Sequence, residues 1–432
     1  MKQLLVIIFL LSAVFSAGAQ TGTWSGSLEV QGTRISLVFH LDGENPTMDS
    51  PDQGARDIPI QVEKSATGAV IIRIPSAGAT FEGTWMLTKI VGTFKQWTAA
   101  FPLTLTPGEP KLNRPQTPVA PFPYTQEELS FRSGDALLKG TLTLPEDCSR
   151  KTPVLVMVTG SGQQNRDEEI FEHKPFAVIA DALARAGVAT LRYDDRGFGQ
   201  SSGNVLDCTT EDFKNDALAA IGLLRERFDK VGVIGHSEGG SIALMLAAEG
   251  QADFIVSLAG NVVSGGQTLL WQNRLALTDA GFPAGTVDAY CTLLGRAFEA
   301  LSAGTPFPSA DGTDLPDALK QNYQAVLQQL QTPYMRYFVT MDMRPLLGRI
   351  TCPVLALNGS KDLQVEPESN LVALRSGLPE GTPAQIDCIE GLNHLFQHCT
   401  TGAVSEYKEI EETFAPEVLK MVSDWIRAVS IL

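Results

Sequence analysis

The stretch VGVIGHSEGGSIALMLAA, residues 231–248, decides the fold of this chain. Its apolar start, residues 231–234, predicts a short buried strand, and residues 241–248 predict a helix. The pattern Gly-x-Ser-x-Gly lies between them, with Ser237 at its centre. A turn this sharp strains its central residue, and the flanking glycines make room for it. We therefore expect the Ser237 hydroxyl to project above a sheet edge as a candidate nucleophile.

Short apolar strands alternate with helices on both sides of this stretch. The alternation predicts a mostly parallel sheet covered by helices on both faces, an α/β fold. A mainly helical stretch, residues 261–349, interrupts it and predicts a cap over the C-terminal edge of the sheet. The other predicted strands are 137–144, 154–158, 188–193, 254–258, 354–357 and 384–389, and the other main helices are 175–186, 210–227 and 416–429.

A serine nucleophile needs a base, and in this type of sheet the chain order is Ser, Asp, His. His394 follows the last predicted strand through a short loop, and Asp362 lies in the turn after the preceding strand. We predict that His394 is the general base and that Asp362 orients its imidazole. The alternatives are His398 for the base and Glu366 for the acid.

An oxyanion hole requires two backbone N–H groups. The residue after the nucleophile, Glu238, supplies one of them, and Ser161 in the loop after strand 154–158 is predicted to supply the other, with Gly162 as the alternative. No Lys-Ser/Thr pair follows that glycine-rich loop, so it is not a phosphate-binding loop. No cysteine or histidine spacing suggests zinc, and we expect no metal.

The N-terminal residues 1–19 have the pattern of a secretory signal. Lys2 precedes an apolar run, residues 4–15, and Ala17 and Ala19 occupy the positions of a cleavage site before Gln20. The run is too short to span a bilayer. We expect an exported protein, periplasmic or secreted, with no stable insertion in the membrane.

Two regions of different character follow this segment. Residues 20–106 show short strand-like runs without helical periodicity and predict a small all-β domain. Six prolines lie in residues 107–123 and predict a semi-rigid linker. Residues 124–432 carry the α/β pattern and all the candidate catalytic groups. The tryptophans of the β region, Trp24, Trp85 and Trp97, are expected to be mainly core residues rather than a sugar-stacking surface.

Composition excludes one class of partner. The chain has 33 Lys and Arg against 49 Asp and Glu, a net charge of −16, and no basic cluster, so a nucleic-acid or anionic-membrane partner is not expected. Export permits disulfides among the six cysteines, but free thiols fit the sequence equally well. The sequence does not indicate an oligomeric state.

Five stretches in order along the chain resemble the α/β-hydrolase family. They are TGSG at 159–162, DDRGFGQS at 194–201, GHSEG at 235–239, LNGSKD at 357–362 and GLNH at 391–394. The layout is similar to that of exported bacterial carboxylesterases with a small β domain in front. The resemblance implies an eight-stranded sheet, a Ser-His-Asp triad and no cofactor. This chain departs from many relatives by having Thr159 where they have histidine, and by the acidic Glu238 in the turn.

The function expected from these features is hydrolysis of carboxylic esters through an acyl-enzyme. Small-molecule or saccharide esters, with short or medium acyl groups or with sugar or phenol linkages, are the expected substrates. A serine peptidase or amidase related to prolyl oligopeptidases is the main alternative, and a non-catalytic binding protein is the third. Aromatic residues of the cap are expected either to line the pocket or to pack the core of the cap: Trp271, Tyr323, Tyr334, Tyr337 and Phe338.

Overall fold

A computed structural model describes residues 22–30, 33–43, 45–50, 55–65, 68–86, 88–108 and 112–430. The predicted signal segment lies outside the described residues. The chain divides into two compact units, Met1–Lys111 and Leu112–Leu432.

The first unit is an antiparallel sheet of nine strands in the order β4-β3-β2-β1-β9-β8-β7-β6-β5. Its core is built from inward-facing apolar residues such as Phe39, Ile72 and Phe81, which confirms the expected all-β region. The strands are β1 (Thr23–Val30), β2 (Thr33–His40), β3 (Thr47–Ser50), β4 (Ala55–Pro59), β5 (Gln61–Lys64), β6 (Ala69–Ile74), β7 (Ala79–Met86), β8 (Lys89–Gln96) and β9 (Ala99–Pro107).

The tryptophans of the first unit do not all behave as expected. Trp24 is buried in the core, and its ring meets the half-buried Trp85 edge to face at a centroid distance of 4.6 Å. Trp97 instead is 87% exposed in the tight turn between β8 and β9, with φ +51°. The expectation that it belongs to the core is wrong, because the turn points its side chain away from the sheet's packed face.

The second unit contains a mostly parallel sheet of eight strands in the order β10-β11-β13-β12-β14-β15-β16-β17. The pairs β10-β11 and β11-β13 are antiparallel. The remaining pairs, from β13-β12 to β16-β17, are parallel. The expected sheet is therefore confirmed. The strands are β10 (Thr125–Ser133), β11 (Ala136–Leu144), β12 (Val154–Val158), β13 (Ala189–Tyr193), β14 (Val231–His236), β15 (Ile255–Leu258), β16 (Val354–Gly359) and β17 (Ala384–Ile389).

Helices cover both faces of this sheet, and two separate apolar cores lie on its two sides. The helices that follow strands are α1 (Pro175–Arg185), α2 (Thr210–Arg225), α3 (Glu238–Ala248), α9 (Pro367–Gly377) and the closing α11 (Pro416–Ser430). The expected helical insertion contains α4 (Gly265–Asp279), α5 (Ala284–Ala303), α6 (Asp317–Gln329), α7 (Pro333–Thr340) and the single turn α8 (Arg344–Leu347); another single turn is α10 (Val404–Tyr407). Part of the insertion has a core of its own, around Tyr290 and Tyr323.

The predicted linker, residues 107–123, is only partly a linker. Strand β9 extends to Pro107, and the chain from Leu112 onward belongs to the second unit. The Arg114 guanidinium donates hydrogen bonds to the carbonyl oxygens of Phe171, Lys408 and Ile410. Residues 112–124 form no helix or strand; they include a turn in which Thr117 N–H donates to the Arg114 carbonyl at 3.1 Å, so the expected extended conformation is not observed here.

No helix within the described residues is both long and apolar enough to cross a membrane. All six cysteines lie in the described part of the second unit, and all six are free thiols.

Candidate active site

Ser237 occupies the turn that joins β14 to α3. Its backbone is in the left-handed region, with φ +54° and ψ −118°, and its N–H donates to the carbonyl of Leu258 at 2.8 Å. The glycines on either side are required by close packing. A Cβ on Gly235 would lie 1.9 Å from the carbonyl oxygen of Gly239, and a Cβ on Gly239 would lie 2.0 Å from that of Val158. The sequence therefore folds into the strained turn that Gly-x-Ser-x-Gly predicts.

The loops after β16 and β17 bring Asp362 and His394 together. The His394 Nδ1 atom lies 2.8 Å from Asp362 Oδ2, and the two residues are only 3% and 2% exposed. The other carboxylate oxygen accepts the backbone N–H groups of Gln364 and Val365, at 2.8 and 2.9 Å. Because the carboxylate is an acceptor, Nδ1 carries the proton and Nε2 keeps a free lone pair. That is the tautomer a general base needs.

Ser237 and His394 line one cavity of about 380 Å³ beneath the helical insertion. Both candidate oxyanion residues, Ser161 and Glu238, line it as well. The other lining residues combine amide and hydroxyl groups with apolar side chains: Gly160, Gln164, Glu168, Ile170, His236, Asn261, Thr268, Leu269, Gln272, Tyr334, Met335, Phe338, Gln364, Val365 and Leu395. A mixed apolar and polar lining of this size suits a small organic molecule.

The loop of residues 159–164, here called the oxyanion loop, lies directly against the nucleophile. A Cβ on Gly160 would be 3.3 Å from the Ser237 Cβ. The loop is held at both ends, because Gly160 N–H donates to Glu168 Oε1 at 2.7 Å, and Gln164 N–H donates to Asp195 Oδ2 at 2.9 Å. Glu238 is the first residue of α3, where an N–H has no intrahelical acceptor. The structure thus places Gly160 and Glu238 beside Ser237, and Ser161 lines the same cavity.

Asp195 is a buried acid at the foot of the oxyanion loop. It also accepts the Thr159 hydroxyl at 2.8 Å, so this threonine anchors the loop. Burial raises the pKa of Asp195 to about 8, and the charges of Asp216 and Glu168 add to this effect against the lowering by its two hydrogen bonds. The foot of the loop therefore titrates near neutral pH.

The two alternative residues lie elsewhere. The exposed His398 ring makes hydrogen bonds with Glu412 and Glu417, at 2.8 and 3.0 Å, and it does not line the cavity. Glu366 is the N-cap residue before α9 and lines other surface depressions. Of the two candidate bases and two candidate acids, the structure brings His394 and Asp362 together.

Three of the five cap aromatics take one of the two expected roles, whereas Tyr337 packs against the core of the sheet and the half-buried Trp271 lines neither the cavity nor the core of the cap. Tyr334 and Phe338 of α7 line the cavity. Tyr337 donates to Glu211 at 3.2 Å, and Tyr323 is fully buried in the core of the cap. The Tyr334 hydroxyl donates to the Glu238 side chain. Burial, followed by the Glu238 charge, raises the pKa of Tyr334 far above its ordinary value.

Sequence reasoning missed Glu168. This residue lies in the loop before α1, and its side chain reaches His236, which precedes Ser237. The two residues are 68 positions apart, and no local pattern pairs them. The Gly-His-Ser order was the only signal, since a histidine beside a buried turn needs polar partners.

Comparisons with known proteins agree with this architecture. The model of the alpha/beta hydrolase family matches residues 155–404, more than half of the chain. Esterase EstD of Thermotoga maritima is 36% identical over 124 residues, which are 28% of this chain and 30% of that esterase. The chain thus matches less than a third of the length of that relative.

Two solved structures illustrate the range of similar chains. Est1E of Butyrivibrio proteoclasticus with ferulic acid is 19% identical, has a TM-score of 0.41, and aligns over 70% of this chain and 98% of its own. Proline iminopeptidase of Mycobacterium smegmatis is 17% identical, has a TM-score of 0.44, and aligns over 71% and 99%. On the strength of the family match, this chain belongs to the alpha/beta hydrolase family.

Proposed function

We propose that this protein is a serine hydrolase that cleaves carboxylic esters with the triad Ser237, His394 and Asp362. One observation carries the proposal. Ser237, in a strained strand-to-helix turn, shares a cavity with His394. The Nδ1 atom of His394 lies 2.8 Å from Oδ2 of the buried Asp362. This arrangement supplies a nucleophile, a base in the required tautomer and an orienting acid.

In the acylation step, Ser237 Oγ attacks the ester carbonyl while His394 Nε2 takes the hydroxyl proton. The imidazolium that forms is stabilised by the Asp362 carboxylate, which already receives its Nδ1 proton. Negative charge develops on the carbonyl oxygen, and the backbone N–H groups of Glu238 and Ser161 are the donors proposed to stabilise it. His394 then gives its proton to the leaving alcohol or phenol.

In the deacylation step, water takes the place of the alcohol. His394 accepts a proton from that water as it attacks the acyl-enzyme, and the proton returns to Ser237 Oγ when the acid leaves. The same oxyanion donors serve both steps, because the carbonyl oxygen stays in one position. This cycle needs no metal or cofactor.

The substrates proposed are small-molecule or saccharide esters with short or medium acyl groups, or sugar- or phenol-linked esters. The cavity volume of about 380 Å³ and its mixed lining support a molecule of this size, and the name of the similar Thermotoga esterase supports ester chemistry. Export to the periplasm or outside the cell is proposed from residues 1–19.

A substrate panel tests the proposed function. Purified protein is offered nitrophenyl esters of increasing acyl length beside aminoacyl nitroanilides of matched size. We expect kcat/KM for the best ester to exceed that for the best anilide by about 100-fold or more, because an anilide is a poorer acyl donor. Greater turnover of the anilides would replace the proposal with a peptidase, and no turnover of either would indicate a binding protein.

A further inference from the structure

A buried pair of residues, Glu168 and His236, lies beside the proposed triad. Glu168 is 4% exposed and has a left-handed backbone, with φ +52°, which is unusual for a residue with a side chain. His236 is 6% exposed and ends β14, directly before Ser237. The His236 Nδ1 atom lies 3.0 Å from Glu168 Oε1. A strained, buried carboxylate paired with a histidine at this position calls for a physical reason.

The hydrogen bonds of His236 require both of its ring nitrogens to carry protons. Nε2 faces the carbonyl oxygen of His394 at 2.9 Å, and a carbonyl can only accept. Nδ1 faces Glu168 Oε1, the same atom that accepts the Gly160 N–H at 2.7 Å. A carbonyl and an ionised carboxylate around one imidazole are satisfied together only by the doubly protonated ring. His236 and Glu168 therefore form a buried ion pair.

The charges around His236 favour this state. Burial lowers the pKa of His236, but the Glu168 charge, the hydrogen bonds to Glu168 and to the His394 carbonyl, and the more distant Asp362 outweigh burial and raise it above 6.5. The other titratable group facing the ring is the His394 imidazole, at a centroid distance of 4.7 Å. Glu168 supplies the nearest negative charge, so its removal weakens proton binding at His236 most.

The pair connects three parts of the proposed active site. Through Gly160 it holds the oxyanion loop, through the His394 carbonyl it holds the loop of the general base, and His236 itself adjoins Ser237. A neutral His236 has a single N–H and must release either the carboxylate or the carbonyl. Its deprotonation would also leave the Glu168 charge buried without a cation beside it.

We propose that Glu168 and His236 are a positioning pair that holds the oxyanion loop and His394 in place beside Ser237. Turnover then falls at alkaline pH, when His236 loses its second proton. The proposal rests on the proposed function, since it concerns the same site. Neither residue is assigned a bond to the substrate. Both act through the N–H of Ser161 and the imidazole of His394, whose positions they fix.

Steady-state kinetics of Glu168→Gln across pH test the proposal. Glutamine keeps the shape and an acceptor oxygen but removes the charge. We expect kcat to fall about tenfold or more while KM stays within about threefold, because mispositioned oxyanion donors cost transition-state rather than ground-state binding. The alkaline limb of the kcat profile is expected to move to lower pH. The exposed His398→Gln variant is the matched control and should keep the profile of the unaltered protein.

Asp195 offers a competing source of an alkaline limb, because it holds the other end of the oxyanion loop and titrates near neutral pH. In Asp195→Asn, the limb is expected to remain if it belongs to His236. A limb that disappears in Asp195→Asn would overturn the proposal. An unchanged kcat and pH profile in Glu168→Gln would do the same.

Long-range ¹H–¹⁵N spectra of the histidine rings in the unaltered protein give a second readout that does not depend on folding of a variant or on activity. We expect the ring of His236, assigned through its bonded backbone resonances, to have both nitrogens protonated at about pH 7, as does the exposed His398 ring between its two carboxylates. A neutral His236 at that pH would overturn the proposal. If the unaltered protein hydrolysed no ester, the proposed function would fail, while these spectra would still decide whether the ion pair exists.

Discussion

The Nδ1 atom of His394 lies 2.8 Å from the Oδ2 atom of Asp362, although the two residues come from loops that follow different strands. The two residues meet because each follows one of two neighbouring strands. In the sheet, β16 and β17 are adjacent and parallel, so the loops after them leave at the same edge. Both side chains are almost completely buried there, and water competes little for the hydrogen bond.

The first prediction separates the two late histidines. His394→Ala should lower kcat by about 10³-fold or more, because the Ser237 hydroxyl then has no base to take its proton. His398→Ala should keep most of the activity, since that ring lies at the surface between Glu412 and Glu417. Steady-state kinetics on one nitrophenyl ester measure both variants. The opposite order of effects would move the base to His398.

The second prediction concerns the orienting acid. In Asp362→Asn, the amide would donate to Nδ1 and place the imidazole proton on Nε2, which is the wrong tautomer for a base. We expect kcat to fall on the order of 10³–10⁴-fold, with a smaller change in KM. Glu366→Gln is the matched control and should stay within about twofold of the unaltered protein, because its side chain does not line the cavity. Normal turnover in Asp362→Asn would refute this role.

The sequence predicts the loops of the candidate active site better than the contacts that hold them. Ser237, Asp362 and His394 each follow a short strand, and parallel strands place such loops at one edge. The sequence does not predict strand β10, because its residues TQEELSFRS lie at the sheet edge and are mostly exposed and polar. The sequence also does not predict the place of Glu168 or Trp97. Their left-handed backbones are held by the surrounding structure rather than by their own residue preferences.

The third prediction concerns stability and pH. The folded-state pKa of Asp195 is about 8, against an ordinary value of 3.8. Between these values the folded chain keeps a proton that the unfolded chain has lost, so stability falls as pH rises through this window. Asp195→Asn lacks this contribution. The free energy of unfolding of Asp195→Asn minus that of the unaltered protein should therefore increase as pH rises from about 5 to about 9.

Denaturant unfolding at several pH values measures this difference. The exposed Asp424→Asn, which alters a surface pair with Lys420, is the control and should leave the pH dependence as it is. A constant difference between Asp195→Asn and the unaltered protein at all pH values would show that Asp195 is ionised in the folded state.

The fourth prediction concerns the charge of the acyl group. Glu238 lines the cavity, its Oε1 atom has no hydrogen-bond partner among the described residues, and no described Lys or Arg lines the cavity with it. A carboxylate on the substrate would meet this buried charge, while the cation inferred in the lining, His236, is already paired with Glu168. We expect kcat/KM for a nitrophenyl hemisuccinate to be about tenfold or more below that for a neutral ester of equal length.

Glu238→Gln should reduce that discrimination, because the amide can still accept the Tyr334 hydroxyl but carries no charge. The exposed Glu417→Gln should retain it. Equal discrimination in Glu238→Gln and the unaltered protein would show that another feature of the cavity selects against anionic substrates.

The identity of the nucleophile is the central claim, and active-site labelling tests it most directly. The full-length protein is treated with a fluorophosphonate, and the modified peptide is identified by mass spectrometry, with Ser237→Ala assayed in parallel. The account predicts one phosphonylated residue, Ser237, with turnover lost in step with labelling, and neither labelling nor turnover in Ser237→Ala. Labelling of a different serine, or ester hydrolysis retained by Ser237→Ala free of contaminating enzymes, would contradict it.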